Sequence, residues 1–146
     1  MRYSSEALEE HIKQLNIICF AVVSGMLIFA GLVWYLVAGG GFTPPEGLPS
    51  YLAMVLNLTG LVFLVKAHFL PRISPGPSQG APEEARIAWH KRNTILGFAL
   101  REGGAFVALV GVLLTGQMAG GFAVAGLAIL AMVFAWPRAE QVTGGH

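Results

Sequence analysis

Charge is scarce in this chain. Only 12% of its 146 residues are Asp, Glu, Lys or Arg, about half of the roughly 25% carried by an ordinary soluble domain. The formal net charge is +1, which leaves no basic footprint for nucleic acid. Cys19 is the single cysteine, so no intrachain disulfide can form and the redox compartment cannot be read. Histidine is thinly spread as well. His11, His68, His90 and His146 include no i, i+4 pair and no Cys-x-x-Cys-His motif. No Ser/His/Asp set, phosphate loop or metal cluster is visible. Neither a catalytic centre nor a resident cofactor is expected.

What the chain has in place of charge is long apolar runs. They cover residues 17–38, 51–70, 94–115 and 119–136, and about 20 apolar residues suffice for a helix to cross the hydrocarbon core. The reading is an all-α integral membrane protein, a single domain of four transmembrane helices, with residues 71–81 as the linker between spans two and three. A signal peptide in place of span one is disfavoured. Its flank holds Glu6, Glu9 and Glu10 against Arg2 and Lys13, where a signal peptide has a positive n-region and a shorter apolar core.

The basic residues set an orientation. Arg2 and Lys13 precede span one, and Arg138 follows span four. Lys66, Arg72, Arg86, Lys91, Arg92 and Arg101 surround the connection between spans two and three. The other two connections, 39–50 and 116–121, hold no Lys or Arg. Positive residues stay cytoplasmic, so both termini and the middle loop are expected in the cytoplasm. The aromatics agree: Trp34, Tyr35 and Tyr51 mark the outer interface, and Trp89 and Trp136 the inner one.

Punctuation along the chain is clear. Leu8, Ile12 and Leu15 at i, i+4, i+7 predict a helical lead-in, either a surface arm or an early start of span one. The loop "GGGFTPPEGLPS" cannot be helical across Pro44-Pro45, and "PRISPGPSQGAP" reads as a linker. Pro82-Glu83-Glu84 predicts the start of helix three, with two acids at the positive end of its dipole.

Sliding the chain by 78 residues lays Phe20, Ala21, Gly25, Ala30 and Leu36 over Phe98, Ala99, Gly103, Ala108 and Leu114. A parallel repeat of two hairpins would leave this pattern, and so would chance identity between two apolar helices. Within it, Ala21-x-x-x-Gly25 and Ala99-x-x-x-Gly103 are small-x-x-x-small pairs, and Gly104-x-x-x-Ala108 is a third. Such pairs let backbones approach closely in lipid. They are the expected packing positions, inside the bundle or against another subunit.

The polar residues inside the spans are the functional candidates. Arg101 and Glu102 fall six or seven residues into span three, at a depth of about 10 Å at 1.5 Å per residue. Arg101 can snorkel back toward the headgroups. Glu102 is shorter, and an ionised carboxylate there must be paired, wet or hydrogen-bonded. Its candidate partners are Lys66 in span two, Arg101 beside it, and Ser24 at the aligned position of span one. Asn57 and Thr59 are polar but nearer the outer half. One outcome is a structural pin, and the alternative is a carboxylate that binds a proton or cation. His68 and His90, near the inner face on consecutive spans, offer a third reading as haem ligands.

The segment "ILGFALREGGAFVALVGVLLTG" resembles the carboxylate-bearing helix of rotary ATPase proteolipid subunits. That resemblance covers one span and implies a proton-carrying role for Glu102, although Arg101 is foreign to that helix. Over most of its length the chain is similar to small four-span bacterial membrane proteins. The likeness rests on Ala99–Gly103, Thr115-Gly116 and Pro137-Arg138 and implies a bacterial inner-membrane location but no activity. The expected role is therefore a structural or accessory subunit of a membrane assembly. Its partners would be the lipid bilayer and other membrane subunits or copies of itself.

Overall fold

The computed structural model describes residues 5–78 and 80–137. Arg2, Arg138 and His146 lie outside them. The described chain forms four helices: α1 (Ser5–Ala38), α2 (Leu52–Ile73), α3 (Glu83–Thr115) and α4 (Met118–Phe134). No strand occurs among the described residues. Three helices, α1, α2 and α3, are long and apolar enough to cross a membrane, while α4 is a shorter apolar helix of 17 residues.

The lead-in before residue 17 is not a separate arm. It continues into span one as a single helix of 34 residues, about 50 Å long at 1.5 Å per residue. Helix α3 begins at Glu83, behind Pro82 with its extended ψ of 148°, as the proline and paired acids predict. Helix α2 ends later than expected, at Ile73 and not residue 70, because Pro71 is absorbed in its last turn. Proline has no N–H to give the Ala67 carbonyl, a loss tolerated where the ladder is about to end.

Helix α3 stops at Gly116, whose φ of 71° is left-handed and whose N–H bonds the Val112 carbonyl at 2.8 Å. Glycine adopts that conformation without the strain a Cβ would impose. The neighbouring Thr115 hydroxyl donates to the Gly111 carbonyl at 2.7 Å. The α1–α2 loop lies over this turn, so that a Cβ on Gly116 would stand 3.2 Å from Pro44 Cγ.

Helix α3 is the hub of the bundle. It packs against α2, α4 and α1, and α4 also touches α1 and α2, whereas α1 and α2 do not meet. They occupy opposite corners. A two-hairpin repeat would pack α1 on α2 as α3 packs on α4, and the bundle does not. What survives of the 78-residue offset is the register of two parallel neighbours. His11 meets His90 and Phe29 stacks on Phe106, offsets of 79 and 77.

Two faces of α3 explain its position. One carries Phe98, Ala105, Leu109 and Val112, which close the core with Cys19, Met26 and Val33 of α1 and Ala125, Ala128 and Met132 of α4. The other carries Gly97, Gly104 and Gly111 at steps of seven. Helix α2 answers with buried Ala53, Gly60 and Ala67, also at steps of seven, the spacing of helices that cross at a shallow angle. A Cβ on Gly60 would stand 2.7 Å from the Gly104 carbonyl oxygen, and one on Gly104 2.7 Å from that of Gly60. The two backbones touch.

The outward faces are apolar: Phe20, Ile28, Val62, Leu130 and Phe134 are all exposed. A surface this rich in large apolar side chains is one that lipid or another protein covers.

Gly104→Val places a branched side chain against the Gly60 carbonyl and should destabilise the bundle by about 1–3 kcal/mol, the cost of overpacking. Gly126→Ala, where among the described residues an added Cβ meets no atom of another helix within 4 Å, should cost nothing. Thermal unfolding of the two variants in detergent, read by helix content, compares them directly. Equal melting points would refute the backbone contact.

Candidate functional site at the basic end of the bundle

Polar chemistry gathers where Lys13, Lys66, Arg72, Arg86, Lys91 and Arg92 lie, at the end of the bundle holding the start of α1 and α3. Two histidines meet there. His11 Nε2 and His90 Nδ1 are 3.3 Å apart, and the rings contact edge to face with centroids 5.6 Å apart. Both side chains are buried. One nitrogen donates and the other accepts, so the bond needs at least one neutral ring. Beside them the Lys91 ammonium donates to Gln14 Oε1 at 3.4 Å, and the Gln14 amide donates to Glu10 at the same distance.

This pairing corrects the expected one. His68 is exposed on α2 and stacks edge-on against Phe69 at 5.2 Å, while His90 faces α1. The histidine that meets His90 is thus His11 of α1. The reason is topological. Helix α3 meets α1 as well as α2, and α1 runs parallel to it in register. The 78-residue offset is the signal that brings position 11 to the level of position 90, within a residue.

Between α2 and α3 at the same end, next to Ala135 after α4, lies a cavity of about 270 Å³. Its apolar wall is Ala67, Leu70, Pro71 and Phe98, and its polar lining is Trp89, His90, Asn93, Thr94 and Arg101. The glycine face explains the opening. At Gly104 and Gly111 helix α2 comes within 3.2 Å of an added Cβ or closer. At Gly97, one heptad nearer this end, such a Cβ meets Arg101 Nη1 at 2.9 Å and, among the described residues, no atom of α2 within 4 Å. The Arg101 side chain thus folds back one turn along its own helix toward the basic end, the direction in which side chains on a helix lean.

Several lining groups are left unbonded. Both amide atoms of Asn93 and the Trp89 indole nitrogen are buried without a hydrogen-bond partner among the described residues. Buried polar groups are nearly always satisfied in folded proteins, so three such atoms on two residues that line one cavity set this end of the bundle apart.

Glu102 stands on the other side of α3. It falls in the stripe of Phe98, Ala105, Leu109 and Val112 that faces α1 and α4, and it is half-buried. Neither Lys66, Arg101 nor Ser24 bonds it among the described residues. Lys66 is exposed. Helix α2 faces α3 through positions 53, 56, 60, 63 and 67, and Lys66 lies about 100° around the helix from Ala67. Arg101 is turned away toward Gly97. Ser24 shares the level of Glu102 on α1 and is half-buried. Of the more distant polar residues, Thr59 returns its hydroxyl to the Val55 carbonyl at 2.8 Å. Asn57 packs where a Cβ on Gly120 would stand 2.5 Å from its Nδ2.

The small residues divide into two groups. Gly104 packs on α2, and Ala108 is approached by α4, where a Cβ on Gly121 would stand 2.7 Å from the Ala108 carbonyl oxygen. Ala21, Gly25 and Ala99 are exposed, and Gly103 is half-buried. Among the described residues, no atom of another helix lies within 4 Å of a Cβ added at Gly25 or Gly103. Close packing inside the bundle therefore does not run through the two aligned pairs. It runs through Gly60, Gly104 and Gly121, of which Gly60 and Gly121 carried no signal beyond being glycine in an apolar run.

Compared with known protein families, curated proteins and solved structures, the chain matches none.

Proposed function

We propose that this protein is a multi-pass membrane protein, with all four helices crossing a bacterial cytoplasmic membrane and both termini inside. In this reading it works without catalysis, as a structural or accessory subunit that associates with other membrane proteins or with copies of itself. The apolar outward faces and the gathering of basic residues at one end support the membrane placement. The observation that carries the subunit role is the outward small-residue surface. Ala21 and Gly25 on α1 and Ala99 on α3 are exposed, and among the described residues no atom of another helix lies within 4 Å of a Cβ added at Gly25 or Gly103. In lipid, where apolar burial between helices gains little, such surfaces associate by close backbone packing.

Gly25→Leu fills this surface without touching the rest of the bundle. The variant should keep its helix content yet migrate in native gels as a smaller species than the parent. A parent that runs as a monomer, or a variant that assembles as the parent does, would remove the subunit reading.

A second reading concerns Glu102. Its half-buried place on the core stripe, with no bonded partner among the described residues, suits a carboxylate that takes up a proton or cation. Proteoliposomes loaded with a pH-sensitive dye test it. The parent should show proton flux that Glu102→Gln abolishes, and absent flux in the parent, or flux unchanged in the variant, contradicts the idea.

A further inference from the structure

We infer that the cavity between α2 and α3 is a binding site for a hydroxyl-bearing phosphate ester, such as the headgroup of an anionic glycerophospholipid. The inference is independent of the subunit role and of Glu102, which faces the opposite side of α3.

The sign of the ligand follows from the lining. Arg101 and His90 are the only ionisable groups among the lining residues, and no carboxylate is present. Helix α2 contributes only Ala67, Leu70 and Pro71. The chain neighbours of two lining residues are basic as well: Arg72, next to Pro71, lies over the Phe69 ring at 5.4 Å, and Arg92, next to Asn93, donates to Ser74 at 3.1 Å. Arg101 has no acid partner among the described residues. A guanidinium lining a half-apolar cavity suits a planar fork of oxygens, and phosphate and carboxylate are what it binds best.

The remaining groups narrow the class. The Trp89 indole is a donor only, and the Asn93 side chain offers both a donor and an acceptor. The two Asn93 atoms are both unbonded, so the requirement is the same whichever way the amide is turned. Two extra donors suit further phosphate oxygens, while the acceptor asks for a hydroxyl. A bare inorganic anion satisfies the first need and not the second. A glycerol phosphate satisfies both.

Size and wall point the same way. At about 270 Å³ the cavity falls just under the range of roughly 300–1,000 Å³ that holds a whole drug-sized ligand. It accommodates a headgroup, with Leu70, Pro71 and Phe98 offering an apolar surface for whatever the headgroup is attached to. Gly97 makes the site possible, because a Cβ there would stand 2.9 Å from Arg101 Nη1 and push the guanidinium from its place.

The test uses the full chain in detergent and native mass spectrometry with three probes: dihexanoyl phosphatidylglycerol, glycerol 3-phosphate and dihexanoyl phosphatidylcholine. Phosphatidylglycerol should be retained in preference to phosphatidylcholine. Arg101→Gln should weaken it by about tenfold, the loss of one charge-assisted hydrogen bond. Asn93→Leu should weaken it too, and Lys13→Gln, on the opposite corner, should not. If Arg101→Gln lowers helix content, Gly97→Ala provides the second variant, since it keeps the arginine while displacing its guanidinium. Glycerol 3-phosphate bound with the same dependence on Arg101 supports a site for the free ester, and retention of the lipid alone supports a headgroup site. Equal retention of both lipids, no retention of any probe, or binding insensitive to Arg101, Asn93 and Gly97 alike would overturn the inference.

Discussion

Where Gly60 and Gly104 face each other, each residue's missing side chain makes room for the other's carbonyl, and α2 and α3 come into backbone contact. Neither substitution alone would leave that contact possible, because a Cβ on either side would stand 2.7 Å from an oxygen. Two backbones in direct contact gain dispersion attraction along the whole crossing, which a side chain between them would forfeit. With α2 fixed on one face of α3, the opposite face is free for the larger side chains. Phe98, Leu109 and Val112 fill it against α1 and α4. The separation of α1 from α2 follows, since α3 and α4 stand between them.

The same contact accounts for the cavity. Helices in touch at positions 104 and 111 stay in touch only while their facing residues remain small or complementary. At the next heptad position, Gly97, the space is taken by the arginine one turn along the same helix and not by α2. Asn93 and Trp89, one and two turns further toward the basic end, then line a space, and their polar atoms have no hydrogen-bond partner among the described residues. Tight packing at one level and an unfilled polar space about one heptad away thus belong to one helix pair. The buried histidines stand at that end too, tying the start of α1 to α3 through His11 and His90.

Much of the architecture was legible from periodicity. The apolar runs mark the helices to within a few residues, Pro82 marks the start of α3, and Thr115-Gly116 marks its end. The neighbours of each face were not legible. Ala21-x-x-x-Gly25 and Gly104-x-x-x-Ala108 look alike as text, yet one faces outward and the other is packed on both sides. The difference lies in the helix opposite, in Gly60 and Gly121, and no local pattern states which helix that is. Lys66 fails to reach Glu102 for a related reason: depth can be counted along a chain, but the direction of a side chain depends on which face its helix turns inward. The pairing of His90 with His11 needed knowledge that α1 and α3 are parallel neighbours, which only the offset of 78 residues suggested.

The contact between α2 and α3 can be measured by disulfide trapping. A Cβ on Gly111 would stand 3.2 Å from Leu56 Cβ, close to the roughly 3.5–4.5 Å that a disulfide spans. In a Cys19→Ala background, Leu56→Cys with Gly111→Cys should form an intrachain disulfide under mild oxidation, detected as a loss of two hydrogens in the intact mass. Met54→Cys with Gly111→Cys, where Met54 is exposed, should remain reduced. Efficient closure of the second pair and none of the first would mean that α2 turns a different face to α3, and the account of the bundle would fail with it.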